Sequence, residues 1–350
     1  MRYKEDWESA KKHFGAFWQG EMLDRCTIGI RAPKDKSVVI PQPKDDEAYR
    51  TDPEAIIRYN RAVMENTCYL GDAFPLITLD LGASGHAAFF KGERHYIDGT
   101  VWFFPSLSDP RELEFDPDSL LYRKTIEIAE ALAEDSKGDY CISMPDDSGN
   151  ADALAHLMGS ENLLCTMIDD PEGVEEGLRK IQKAYEDVMR RAREITKGVN
   201  DGGGCIGWLN TWAPGFHAQM QCDLAAMISK EHFDRFIAPE LTAQSNFLDY
   251  ALYHLDGIEV RRHLDTLLSI PTLKAIQWTQ VVGQPSCLEF LDDLKRIQKA
   301  GKRLVIIVSP DQIEPLLTEL SSKGLYLLTS ASDKEEAEAI LKCAEKWSHE

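Results

Sequence analysis

From about residue 137 onward, short apolar runs alternate with longer stretches whose apolar residues recur at helical spacing. That alternation predicts βα units feeding a parallel sheet. The runs read as strands lie at 140–144, 204–209, 252–255, 273–278, 304–308 and 325–329. Helices are expected over 171–196, 230–252, 286–300, 310–321 and 333–348. Asp170-Pro171-Glu172 and Ser332-Asp333-Lys334-Glu335 read as helix starts, each with a capping residue followed by acids in the first turn. Runs at 26–30 and 76–81 bring the strands to eight, the number in a (βα)8 TIM barrel. The expected fold is therefore α/β: one TIM-barrel domain, its core over 71–350 and an amino-terminal elaboration over 1–70. Residues 33–52, rich in Lys, Asp and Pro, read as an excursion, and 100–105 as an extra hairpin. No repeat, low-complexity tract or linker divides the chain.

In a parallel barrel the carboxyl ends of the strands face the active site, so the residues that close each run are the first candidates. They are Asp80, then Asp146 and Asp147, Asn210 with Trp212, His254 and Asp256 after Tyr253, Gln277 with Trp278, Ser309, and Thr329 with Ser330. The loop before the helix at 230 adds His217, Gln221, Cys222 and Asp223. His254 and Asp256 carry the most information. Two apart on a strand, their side chains leave on the same side, and a buried aspartate demands a partner. Asp80 and Asp147 are further acid/base candidates. Tyr253, Trp212, His217, Gln221, Gln277 and Trp278 are expected to shape a pocket, the tryptophans suiting a flat or apolar substrate.

Each candidate also has a structural reading. His254 reads as a hydrogen-bonded core histidine, and Asp146-Asp147-Ser148-Gly149-Asn150 as a turn. Cys222 reads as a small buried residue or as a third metal ligand beside His254 and Asp256. Gly202-Gly203-Gly204 lacks GxGxxG spacing and precedes a strand, which makes it a tight turn. The small residues from Gly82 to Phe90 suit close packing as well as the close approach of a ligand.

Composition narrows the function classes. A net charge of -20 without a Lys/Arg cluster argues against nucleic-acid partners and against anionic membrane surfaces. The 8 cysteines are scattered without a CxxC pair, which points to reduced thiols. Residues 1–7 hold acids and no apolar core, so no export signal is expected, and no apolar run nears the roughly 20 residues of a membrane span. A cytoplasmic protein acting on a small molecule is the expectation.

Four segments together carry a family resemblance: Ser160-Glu161-Asn162-Leu163-Leu164 before Asp170-Pro171-Glu172; Ile228-Ser229-Lys230-Glu231-His232-Phe233; Tyr253-His254-Leu255-Asp256-Gly257; and Ile276-Gln277-Trp278. From about Leu76 to the end the chain resembles the uroporphyrinogen decarboxylase family, and most of all the decarboxylase-like proteins of corrinoid methyl-transfer systems. The resemblance implies a TIM barrel with its site at the carboxyl mouth. It also implies a methyltransferase that moves a methyl group between a small substrate and a partner corrinoid protein, without a nucleotide cofactor. No Asp-x-His-x-x-Gly corrinoid motif occurs in the chain, so the corrinoid would be presented by that partner. A homodimer is left open.

True decarboxylases resemble one another in an arginine-rich amino-terminal motif that the segment Phe17 to Arg25 lacks; Arg25 and Arg31 are the nearby arginines. Decarboxylation is therefore the runner-up, with Asp80, Asp147 or Asp256 stabilising a protonated pyrrole and Arg261 and Arg262 as candidate cations. The methyltransferase branch holds zinc through His-x-Cys and a later cysteine. Here the pair is His254-Leu255-Asp256, and Thr329-Ser330 stands at the later position. The change implies a nitrogen and oxygen site, Cys222 or Glu259 supplementing His254 and Asp256. It suits an ether, amine or other methyl group that must be polarised. A third reading is a non-catalytic binding protein that has lost its metal.

Overall fold

Thirteen strands are present in the computed structural model, which describes residues 1–34 and 39–350. In chain order they are β1 (Thr27–Pro33), β2 (Thr67–Gly71), β3 (Leu76–Ile77), β4 (Arg94–Asp98), β5 (Thr100–Phe104), β6 (Cys141–Ile142) and β7 (Gly204–Ile206). They continue with β8 (Thr211–Ala213), β9 (His217–Met220), β10 (Tyr250–Leu255), β11 (Leu273–Trp278), β12 (Arg303–Ile307) and β13 (Leu325–Ser330). Seven of them form one sheet in the order β2-β1-β13-β12-β11-β10-β9. Every neighbour pair is parallel except β1–β2. Long apolar runs such as Leu304-Val305-Ile306 suit this arrangement, because a parallel strand is covered on both faces.

The remaining strands pair two by two: β3–β6 parallel, β4–β5 and β7–β8 antiparallel. Among the described residues these ladders form an open sheet and three pairs rather than a closed cylinder. Backbone bonds extend these ladders: Asp72 N–H to the Ile28 carbonyl at 2.6 Å continues β1–β2, and Met144 N–H to the Cys205 carbonyl at 2.9 Å ties the end of β6 to β7. The fold is α/β with a parallel central sheet. The expected hairpin near residue 100 is β4–β5. Of the expected excursion at 33–52, residues 35–38 lie outside the described residues.

The helices that matter below are α1 (Trp7–Gln19), α2 (Asp46–Thr51), α3 (Pro53–Glu65), α4 (Leu120–Ser136), α5 (Asn150–Met158), α6 (Ser160–Asp169) and α7 (Pro171–Thr196). The two sequence-predicted caps are made: Asp170 accepts the Gly173 N–H at 3.2 Å and Asp333 the Glu336 N–H at 2.9 Å. The helix expected over 230–252 is not continuous. A π turn over Phe233–Ile237 precedes the helix Ala238–Phe247, because Pro239 has no N–H to continue the ladder. No helix among the described residues is long and apolar enough to cross a membrane.

Strand pleating divides the apolar residues into two cores. Leu252, Ala275, Val305 and Tyr326 point to one side of the sheet, where they pack with Cys205 and Trp212 and with Trp7, Phe14 and Phe17 of α1. Tyr253, Ile276, Leu304 and Leu327 point to the other side, against the surrounding helices. Helix α1 seals the amino-terminal end of the inner side: Trp18 packs edge-on against His217 and Tyr250, the first residues of β9 and β10. The carboxyl end is left as the mouth.

Candidate functional site

At that mouth the register pairs His254 of β10 with Gln277 of β11. His254 Nδ1 lies 2.5 Å from Gln277 Oε1 and 3.0 Å from Thr279 Oγ1, and the Thr279 hydroxyl donates to Gln277 Oε1 at 2.9 Å. An amide oxygen only accepts, so Nδ1 carries the ring proton and the Nε2 lone pair is left free. Nε2 stands 3.9 Å from Asp256 Oδ1, the partner two residues on, while Trp208 packs edge-on against the ring. Asp223, from the loop after β9, completes the group. One ligand atom from each of Asp223, His254 and Asp256 falls within 4.8 Å of the others.

One imidazole and two carboxylates, with the imidazole's second nitrogen held by an acceptor, are a donor set that fits a divalent ion such as zinc. Burial raises the pKa of Asp223; His254 opposes that shift and the like charge of Asp256 adds to it. A cation between the carboxylates would relieve both the desolvation and the repulsion.

A line of hydrogen bonds runs from beside His254 to Asp223. Trp208 donates to Gln219, whose amide donates to Asp146 and, at 3.1 Å, to Ser148 Oγ. Ser148 donates to Gln221 Oε1 at 3.1 Å, and the Gln221 amide reaches Asp223 Oδ2 at 3.4 Å. Burial, together with the charges of Asp80 and Asp223, pushes Asp146 up to about 7. Asp80 is paired with Arg50 at 2.5 Å. A cavity of about 320 Å³ leads to Asp223, with Trp102 and Met227, both half exposed, among its walls.

The structure redistributes the other sequence candidates. Asp147, next to Asp146, lines a separate cavity with Arg50 and Asn60; its Oδ2 has no partner, and burial with the Asp146 charge pushes it up to about 8. Trp212 and His217 are not at the mouth. Trp212 is edge-on to Trp7 and accepts from Trp18 through its carbonyl, and His217 begins β9, so both belong to the amino-terminal floor. Tyr253 and Trp278 do not face the pocket either. Pleating turns them away from His254 and Gln277 into the helix layer, where Trp278 packs 5.5 Å from Phe290. Cys222 is not in the metal-ligating group; it is buried, with its thiol pushed well above the usual range, and its neighbour Asp223 stands there instead.

Arg25 is locked onto Asp72 by two bonds, at 2.6 and 3.2 Å. Arg261 pairs with Asp293 and Arg262 with the Ala226 and Glu259 carbonyls. Trp208, Gln219, Thr279 and Asp152 are not among the sequence candidates, although Thr279 follows β11 directly and stands two residues after Gln277, the spacing that singles out His254 and Asp256. Asp223 stood in the loop already singled out, but nothing local ranked it above Cys222.

No known family model matches the chain, and no curated protein matches it. Among solved structures it is similar to a methyltransferase from Methanosarcina mazei, at a TM-score of 0.64 and 14% identity over 97% of this chain and 98% of that one. At that identity the likeness establishes a shared fold.

Proposed function

We propose that this protein is a methyltransferase that binds a divalent metal, zinc in the first instance, through His254, Asp256 and Asp223. It would move a methyl group between a small substrate and a corrinoid carried by a partner protein. The observation that carries the reading is the convergence of these three side chains at the carboxyl mouth with His254 Nδ1 already committed to Gln277. The similarity to the Methanosarcina mazei methyltransferase over nearly the whole of both chains supports it. We read the open sheet, the β3–β6 pair and β7 as arcs of one (βα)8 barrel, the Met144–Cys205 backbone bond joining the end of β6 to β7.

The ion, when bound, supplies a Lewis acid for the group that carries the methyl. The chain's own residues do the rest. Gln277 and Thr279 hold His254 in the tautomer that offers Nε2 to the metal. Asp146, its carboxyl pushed up to about 7 by burial, would give or take up a proton on the Trp208–Gln219 side of the site. Trp102 and Met227 give the substrate an apolar approach, and the corrinoid partner docks over the same mouth. The decarboxylase alternative needs free cations in the mouth: Arg50 and Arg261 are each paired with an aspartate, while Arg31, at the carboxyl end of β1, has no carboxylate partner among the described residues and is the cation that reading would use.

The deciding experiment combines elemental analysis of protein purified without chelators with a methyl-transfer assay on a corrinoid protein. About one zinc per chain, lost together with transfer in His254→Ala, is the expected result. A metal-free, active wild type would overturn the metal's role, and a metal-loaded protein that transfers no methyl from ethers or amines would overturn the reaction.

A further inference from the structure

Asp223 comes from a loop, and a metal ligand on a loop needs something rigid to hold it. Beside the Gln221 amide at its carboxylate, Asp223 is held at its backbone by Asp152. Asp152, in the first turn of α5, is buried, and its two carboxylate oxygens accept the two successive backbone N–H groups at the ligand: Oδ2 from Asp223 at 2.9 Å and Oδ1 from Leu224 at 2.8 Å. The start of α5 is held in turn, because the Asn150 N–H donates to Glu240 Oε1 at 2.9 Å. Gly149, at φ +79°, makes room: a Cβ there would lie 2.2 Å from Asp152 Oδ2. A helix, a glycine and a buried carboxylate are thus spent on fixing one turn of the loop after β9.

A carboxylate suits this clamp because it presents two acceptor oxygens to two adjacent N–H groups, whereas an Asn or Gln amide accepts through one.

We propose that Asp152 is a positioning residue for the metal site: by clamping the Asp223 and Leu224 N–H groups it sets the Asp223 carboxylate toward His254 and Asp256 and strengthens cation binding there. This rests on the metal-site reading above. It adds a residue that no spacing rule flagged and assigns it a role through Asp223 rather than on the substrate.

The test is a double-mutant cycle read by metal affinity, using zinc titrated against a chromophoric chelator. Asp152→Asn should weaken zinc binding about 10- to 100-fold, the range typical of groups that orient metal ligands. In an Asp223→Asn background the same substitution should change it less than about twofold. Urea unfolding of the metal-free variants confirms that each is folded where affinity is read, and Asp152→Ser serves as the second probe of the site if Asp152→Asn fails to fold. Unchanged affinity in a folded Asp152 variant overturns the positioning role, and an equal loss in both backgrounds overturns the route through Asp223. If wild type binds no zinc at all, the metal site falls and this role with it. Zinc on wild type with no effect of Asp152 removes only the present inference.

Discussion

At the amino-terminal floor, His217 gives both ring nitrogens away: Nδ1–H donates to the Tyr250 carbonyl at 2.6 Å and Nε2 accepts from Thr211 at 2.9 Å. At the mouth, His254 gives away one and keeps the other for two carboxylates. The aspartates differ in the same way. Asp72 is saturated by Arg25, by His13 at 2.7 Å and by the Ile28 N–H at 2.9 Å, and those partners hold its carboxyl low against the pull of burial. Asp146 lies near Asp80 and Asp223, Asp152 near Asp223 and Asp223 near Asp256, and desolvation with those like charges drives all three up. The same residue types thus serve stability where their bonding capacity is filled and chemistry where it is left open. Burial by itself does not make a site, since His217 and Asp72 are more buried than His254 and Asp223.

The sharpest way to break the contrast is at the floor. Asp72→Ala leaves Arg25 buried without its counter-charge and should cost about 3–5 kcal/mol in urea unfolding, while any protein that remains folded keeps its zinc affinity. His254→Ala should do the reverse. Zinc affinity drops at least about 100-fold and methyl transfer is lost, with the midpoint of metal-free thermal unfolding within about 3 °C of wild type. A large drop in that midpoint would show that His254 belongs with the floor residues.

Gln277→Leu tests whether the histidine's orientation matters. We expect zinc binding about 10-fold weaker, since the ring loses the acceptor that fixes its tautomer. Equal affinity in that variant would remove Gln277 from the site. The smallest effect is a pH dependence at Asp147. Its folded value of about 8 lies above the ordinary carboxylate range, so its stabilising contribution is full below that range and is lost as pH rises through about 8. The wild-type unfolding midpoint should fall across that window, and Asp147→Asn should flatten the fall by about 2–4 °C without changing zinc content. An unchanged slope would mean that Asp147 titrates alike in both states.

Much of the architecture was legible in the chain. Helix 171–196, the caps at Asp170 and Asp333, and five of the seven strands of the main sheet follow from apolar period and capping chemistry, which depend on residues close in sequence; β2 and β9, short and without a long apolar run, do not. The interruption at 233–237 had a local sign in Pro239, whose missing N–H breaks the ladder, but apolar spacing predicts one helix over 230–252 across it. The pairing of His254 with Asp256 was visible because two residues on one strand share a side whatever surrounds them. Read with full consistency, the same rule turns Tyr253 and Trp278 away from the mouth, each being one residue from His254 or Gln277.

The sequence by itself determined the strands from β10 to β13 and the long helix at 171–196, and that a histidine and an aspartate leave β10 on one side. Only the tertiary structure decided that Asp223, rather than Cys222, joins them, that His217 and Trp212 belong to the opposite end, and that Asp152 reaches across 71 residues to hold the ligand loop. The physical reason is range. Periodicity and capping act within a turn or a pleat, whereas a binding site is assembled from the ends of elements whose proximity is set by sheet order and helix packing.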